Sequence, residues 1–264
     1  MKAKLRMEIL YPCSLAGPCL RAIKKSASRA RTCIGTVLLF LMILVRCNTG
    51  WSPAEAYESA RRHAATIYFK NRPVGSALVL DSQGKVLTCL HVARLAERAL
   101  FIKYDQTLIP AHVVTPEASL DLAILAPLEP GLLGPTLAGD AAARQGPIRR
   151  LPGGLKSGGW AHRSDLAVGS EVYLLGSPYG LENSFLAGRI SHTDRSGLDP
   201  LFPRIPFIQV SGVVFPGTSG AGLFTAGGSF AGIVRSNHSF STDSGNGFVI
   251  PAGYVNSFLE QNGL

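Results

Sequence analysis

Three short segments hold residue types that together could perform acyl transfer. The first, Val86-Leu87-Thr88-Cys89-Leu90-His91-Val92-Ala93, ends an apolar run with a histidine. The second, Ser119-Leu120-Asp121-Leu122-Ala123-Ile124-Leu125, opens an apolar run with an acid, and burying a carboxylate is costly unless it is paired. The third, Pro216-Gly217-Thr218-Ser219-Gly220-Ala221-Gly222-Leu223, surrounds a serine with small residues. Such residues let backbone approach a bound molecule closely and let N–H groups point at a developing oxyanion. Each segment alone has a bland reading: a structural or surface histidine, a strand-end aspartate, a glycine-rich turn. As a set they make a chemical unit. A serine nucleophile needs a base to take its proton, and that base needs an acid to hold its tautomer and stabilise the imidazolium. His91 is the candidate base, Asp121 the orienting acid and Ser219 the nucleophile.

The elements that must position these residues read as strands. Short runs rich in Val, Ile, Leu, Phe and Tyr recur from about Ala65, separated by Gly, Pro, Asp and Ser. One set comprises Thr66–Phe69, Ser76–Leu80, Lys85–Thr88, Ala99–Tyr104 and Leu122–Leu125. A second comprises Glu171–Leu175, Ser184–Ser191, Pro206–Val210, Gly222–Phe224, Phe230–Val234 and Phe248–Ile250. Many short strands with turn signals point to an all-β sandwich or barrel. Asp81-Ser82-Gln83-Gly84 reads as a hairpin turn. Ser52-Pro53-Ala54-Glu55 reads as a capping box opening a helix from about Pro53 to His63, and Ala252–Gln261 reads as a closing helix. Gly131 to Gly159 is rich in Gly, Pro and Ala with little periodicity, which suggests a linker or long surface loop. His91 and Asp121 fall in the first strand set and Ser219 in the second, as a site in a cleft between two barrels requires.

Charge and cysteine are concentrated before these strands. The chain of 264 residues carries a net charge of +9, but residues 1–56 hold nine of its 26 Lys/Arg and two of its 17 Asp/Glu. The other 208 residues hold 17 basic and 15 acidic groups, so the body is nearly neutral and nucleic acid is not an expected partner. Eight basic residues precede the apolar run Cys33–Val45. At about 13 residues that run is shorter than the ~20 a bilayer span needs, and it fits the central part of a secretory signal. Residues 1–50 are therefore expected to be a basic signal peptide or signal anchor. The expected location is exported, periplasmic or otherwise extracytoplasmic, with membrane attachment at the inner membrane if the segment is retained. Cys13, Cys19, Cys33 and Cys47 lie in this segment, which leaves Cys89 alone in the body. No internal disulfide is available there, and the scattered His63, His112, His162, His192 and His238 have no ligand spacing, so neither a metal nor a cofactor is expected. Cys89 reads as a small core residue.

The order His, Asp, Ser along the chain is that of the chymotrypsin-type arrangement, not of α/β-hydrolases, and position 221 is Ala where G-x-S-x-G needs Gly. Over roughly residues 52–260 the body resembles the HtrA/Deg branch of trypsin-like serine proteases. Gly75-Ser76-Ala77 through His91-Val92 is similar to the family's strand leading to its histidine, and Asp121-Leu122-Ala123-Ile124-Leu125 to its aspartate motif. Val168-Gly169 through Gly176-Ser177-Pro178-Tyr179-Gly180 resembles "VG…GNPFG", Pro216–Gly222 resembles "PGNSGGP", and Phe248-Val249-Ile250-Pro251 resembles "GFAIP". The chain departs from the pattern at Thr218, where Asn or Asp is usual, and at Ala221-Gly222.

The resemblance implies a chymotrypsin-like double six-stranded β-barrel with short N- and C-terminal helices. Barrel one would span about 64–130, a linker about 131–166, barrel two about 167–251 and the closing helix 252–261, all within a protease domain of 51–264. It implies a serine endopeptidase acting on polypeptides, with unfolded or damaged envelope proteins as the substrate class. The backbone N–H groups of Gly217 and Ser219 would form the oxyanion hole. Val213, Val214, Ile233, Val234 and Arg235 would line the specificity pocket, with Arg235 restricting or recharging its entrance. The sequence ends soon after the closing helix, so no PDZ domain is expected. The resemblance also raises a homotrimer as an assembly. The competing reading is a catalytically silent, protease-like peptide-binding module.

Overall fold

Twelve strands close into two six-stranded barrels in a computed structural model that describes residues 52–61, 63–81, 83–95, 99–104, 106–129, 161, 166–235 and 245–264. A helix α1 (Pro53–Ala60) leads into β1 (Ala64–Phe69), β2 (Arg72–Val79) and β3 (Val86–Cys89). The short helix α2 (Leu90–Leu95) follows, then β4 (Leu100–Tyr104), β5 (Thr107–Glu117) and β6 (Leu122–Pro127). The second series is β7 (Glu171–Gly176), one 3₁₀ turn (Pro178–Gly180), β8 (Ser184–Arg195), β9 (Phe207–Ser211), β10 (Gly222–Thr225), β11 (Phe230–Arg235) and β12 (Gly247–Pro251). Helix α3 (Ala252–Gln261) closes the chain. The signal or anchor expected over 1–50 and nearly all of the linker expected over 131–166 lie outside the described residues. No helix among the described residues is long and apolar enough to cross a membrane.

Within each barrel all neighbours are antiparallel. The first runs β1-β2-β3-β6-β5-β4 and closes through β1 on β4, with Thr66 opposite Lys103 and Phe69 opposite Leu100. The second runs β10-β11-β12-β9-β8-β7 and closes through β10 on β7, with Leu223 opposite Leu174. Closure removes the open edges that would otherwise invite association. At the β2–β3 turn, Asp81 Oδ1 accepts N–H groups of Gln83 and Lys85 at 2.9 and 3.0 Å, as a turn aspartate does.

Two differences from the sequence reading have local causes. Helix α1 stops at Ala60, short of His63, because Val79 of β2 donates its N–H to the His63 carbonyl at 2.8 Å and draws that residue toward the sheet. Strand β5 was not among the expected strands. It carries Pro110 and Pro116, and proline within a run argues against a strand.

One core cluster joins the interior of the first barrel to Phe207, Phe230, Ile233, Phe248 and Ile250 and to α3 through Val255, Phe258 and Leu259. A second fills the other barrel with Val172, Leu174, Ile190, Val210, Leu223 and Val249. Burying chains of this size stabilises by about 1.5–3 kcal/mol each, which holds strands that have little stability alone.

Candidate active site

Asp121 ties the start of α2 to the start of β6. Its carbonyl accepts the N–H of Leu90 at 2.9 Å, and its Oδ1 accepts the N–H of His91 at 3.0 Å. These are the first backbone donors of α2, which have no partner inside the helix. The backbone of Asp121 has φ 56°, a left-handed conformation that Asp tolerates better than most residues. His91 Nδ1 lies 2.7 Å from Asp121 Oδ2. Burial raises the Asp121 pKa, but the hydrogen bonds and charge of His91, together with the hydrogen bond from Arg235, outweigh it and leave the carboxyl lower than usual. An ionised carboxylate can only accept, so Nδ1 carries the ring proton and Nε2 is the basic nitrogen.

Ser219 reaches the same place from the other barrel. Ser76 of β2 donates its N–H to the Ser219 carbonyl at 2.8 Å. The neighbouring Gly75 has no room for a side chain: a Cβ there would lie 2.5 Å from Val92 Cγ1 and 3.3 Å from the Ser219 carbonyl. The helix bearing His91 and the turn bearing Ser219 thus converge on one glycine. Ser219 itself is 5% exposed.

The turn before Ser219 is held by hydroxyls. Gly217 has φ 95°, and a Cβ on it would stand 2.2 Å from the Ser177 carbonyl, so only glycine fits. Ser76 Oγ donates to the Gly217 carbonyl at 2.8 Å and accepts the N–H of Ser177 at 3.0 Å. Thr66 and Ser177 hydroxyls meet at 2.6 Å, and Thr88 Oγ1 donates to the Ser76 carbonyl at 2.7 Å. Thr218, the departure noted in the sequence, is buried and clasps Phe215: its Oγ1 accepts the Phe215 N–H at 3.1 Å and donates to the Phe215 carbonyl at 2.8 Å. The threonine hydroxyl thus holds the turn by accepting and donating at once, at the position where Asn or Asp was the expected residue.

The residues expected around a specificity pocket are distributed differently. Val213, Val214 and Val234 belong to the core of the second barrel, and Ile233 faces the other cluster with Ile250 and Val255. Arg235 turns inward: it is 9% exposed, donates from Nε to Asp121 Oδ2 at 2.7 Å and from Nη1 to Asp199 Oδ2 at 2.7 Å. Two buried carboxylates draw the cation inward, since a charge is buried only where it is paired. Asp199 was not singled out in the sequence, where an acid in Ser196-Gly197-Leu198-Asp199-Pro200 reads as an ordinary turn residue.

Cys89 is fully buried with its thiol donating to the Val234 carbonyl at 3.3 Å, and burial pushes its pKa well up. Cys89, His91 and Asp121 bring ligand atoms within 4.8 Å of one another, but a cation there would meet a neutral thiol and the Arg235 guanidinium already on the carboxylate.

Comparison with known proteins agrees with this architecture. A family model described as a trypsin-like peptidase domain matches residues 75–233. "Protease Do-like 1, chloroplastic" of Arabidopsis thaliana is 31% identical over 190 residues, which covers 71% of this chain and 38% of that protein. "Serine endoprotease DegS" of Escherichia coli (strain K12) is 30% identical over 184 residues, covering 68% of this chain and 45% of that protein. The chain thus spans less than half the length of either relative. A solved structure of a variant of the HtrA-type protease AlgW with tripeptide superposes with a TM-score of 0.62 at 25% identity, covering 80% of this chain and 63% of the other.

Proposed function

We propose that this chain, which belongs to the trypsin-like peptidases and carries an HtrA-type protease domain, is a serine endopeptidase using His91, Asp121 and Ser219. The observation that carries the reading is the 2.7 Å hydrogen bond between His91 Nδ1 and Asp121 Oδ2. It leaves Nε2 as the base, on the helix that meets the Ser219 turn over Gly75.

In this mechanism Ser219 Oγ attacks the scissile carbonyl carbon while its proton passes to His91 Nε2. Asp121 stabilises the imidazolium and is not itself protonated. The N–H groups of Gly217 and Ser219 stabilise the oxyanion, on a turn whose shape Thr218 and Ser76 hold. The imidazolium then gives its proton to the leaving amine. Water, activated by the same nitrogen, hydrolyses the acyl ester and regenerates Ser219. The substrates proposed are unfolded or damaged polypeptides outside the cytoplasm, in keeping with relatives named periplasmic serine endoprotease.

Incubating the full chain and its Ser219→Ala variant with unfolded casein, and with a fluorophosphonate probe, tests the reading. Cleavage and labelling by the parent, with neither in the variant, are expected. Absence of both from the parent would favour a silent peptide-binding module.

A further inference from the structure

Arg235 is an unusual neighbour for the proposed orienting acid. A cation on Asp121 Oδ2 competes with His91 for the same oxygen and offsets the negative charge that would stabilise the imidazolium. Yet Arg235 is not alone with Asp121. Its Nη1 lies 2.7 Å from Asp199 Oδ2, and Asp199 is itself 8% exposed. Asp199 Oδ1 accepts the N–H of Leu201 at 2.9 Å, and its carbonyl accepts that of Phe202 at 3.0 Å. The guanidinium carbon sits 4.3 Å from the ring centre of Phe202 and 5.7 Å from that of Phe207. These two rings meet edge to face at 6.5 Å, so the Arg235 side chain is fixed by stacking as well as by ion pairs.

The charges close in a specific way. Asp121, Arg235 and Asp199 together carry one net negative charge. That is the charge needed to balance one proton on His91 during the reaction. Without Asp199, Arg235 would cancel Asp121. Without Arg235, two buried carboxylates would lack the cation that pairs them.

We infer that Arg235 and Asp199 are positioning residues for the proposed triad: Arg235 fixes the Asp121 carboxylate toward His91, and Asp199 returns the negative charge that Arg235 removes. Among the described residues, other groups lie close to His91 in the chain or the fold. Strand β3 presents the buried Cys89 thiol, α2 carries the exposed Arg94, and the barrel-two turn brings Ser219. The inference rests on the triad reading above.

The test is the rate of Ser219 labelling by a fluorophosphonate as a function of pH in the full chain, together with NMR titration of the His91 imidazole. Asp199→Asn removes a negative charge, so the acid limb of the profile moves to lower pH by about one unit. Arg235→Met removes the cation, so the limb moves to higher pH by about one unit. Both slow the plateau by roughly 10- to 100-fold, because the imidazole loses its fixed alignment. Arg235→Lys keeps the charge but not the planar fork, and leaves the limb in place with part of the rate restored. Opposite displacements of the limb are what a merely structural ion pair would not produce. Profiles that stay in place, or move together, in variants whose circular dichroism matches the parent overturn the inference and leave the triad intact. If Arg235→Met does not fold, Asp199→Asn and Arg235→Lys decide the matter by the same readouts. A parent chain that the probe does not label overturns the triad itself, and this inference with it.

Discussion

Asp121 holds His91 at two points, accepting its backbone N–H on Oδ1 at 3.0 Å and its ring Nδ1–H on Oδ2 at 2.7 Å. The first bond fixes where the helix begins and the second fixes the face of the ring. Asp121→Asn can still accept one of these bonds, but its amide can present an N–H to Nδ1 and favour the wrong tautomer. Fluorophosphonate labelling of Ser219 is expected to fall by on the order of 10⁴ with little change in far-ultraviolet circular dichroism.

Gly75 separates the two halves of the site. Gly75→Ala would put a Cβ 2.5 Å from Val92 Cγ1, on a short branched side chain that cannot swing away. A loss of about 1–3 kcal/mol in urea unfolding is expected, with slower Ser219 labelling. Adding Val92→Ala makes the room, so the double variant should be more stable than the sum of the two single losses predicts.

Thr218 gives the turn before Ser219, the proposed oxyanion site, its local support. Thr218→Val keeps the shape but leaves Phe215 without its hydroxyl partner. It should cost about 1–3 kcal/mol and reduce labelling, whereas Thr218→Ser keeps both hydrogen bonds and should lose clearly less of each. A larger loss in Thr218→Ser than in Thr218→Val would assign the effect to the methyl group.

The lowered Asp121 pKa makes a contribution to stability with a defined pH window. Because the folded value lies below the unfolded one of about 3.9, this contribution is complete above that pH and is lost as pH falls through the folded value. The stability difference between the parent and Asp121→Asn should therefore be largest near neutrality. It should narrow as urea midpoints are followed down below pH 4.

Cys89, neutral and enclosed, should resist iodoacetamide in the folded protein while reacting once the chain is unfolded, as peptide mapping would record.

The candidate site was legible in the sequence where chemistry and local pattern coincide. His91 follows a buried strand, Asp121 opens another and Ser219 sits among small residues, so their positions could be read from neighbours a few residues away. Eleven of the twelve strands were likewise marked by apolar runs between turn residues. Strand β5 was not, because Pro110 and Pro116 interrupt its apolar run and remove the strand signal. Arg235 shows the same limit for a side chain. At the end of the apolar strand Phe230–Arg235 it is expected to restrict or recharge the entrance of a specificity pocket. Its carboxylate partners are 114 and 36 residues away, and only the closed fold decides that it turns inward.

Ser76 belongs to the first barrel, yet its backbone and hydroxyl hold Ser219 and Gly217 of the second. During synthesis, His91 and Asp121 leave the ribosome well before Ser219, and the strand carrying Arg235 comes later still. Any Ser219 chemistry must wait until late in the chain has been made and docked. On the proposed reading the two halves of the site therefore meet only after most of the chain has been synthesised.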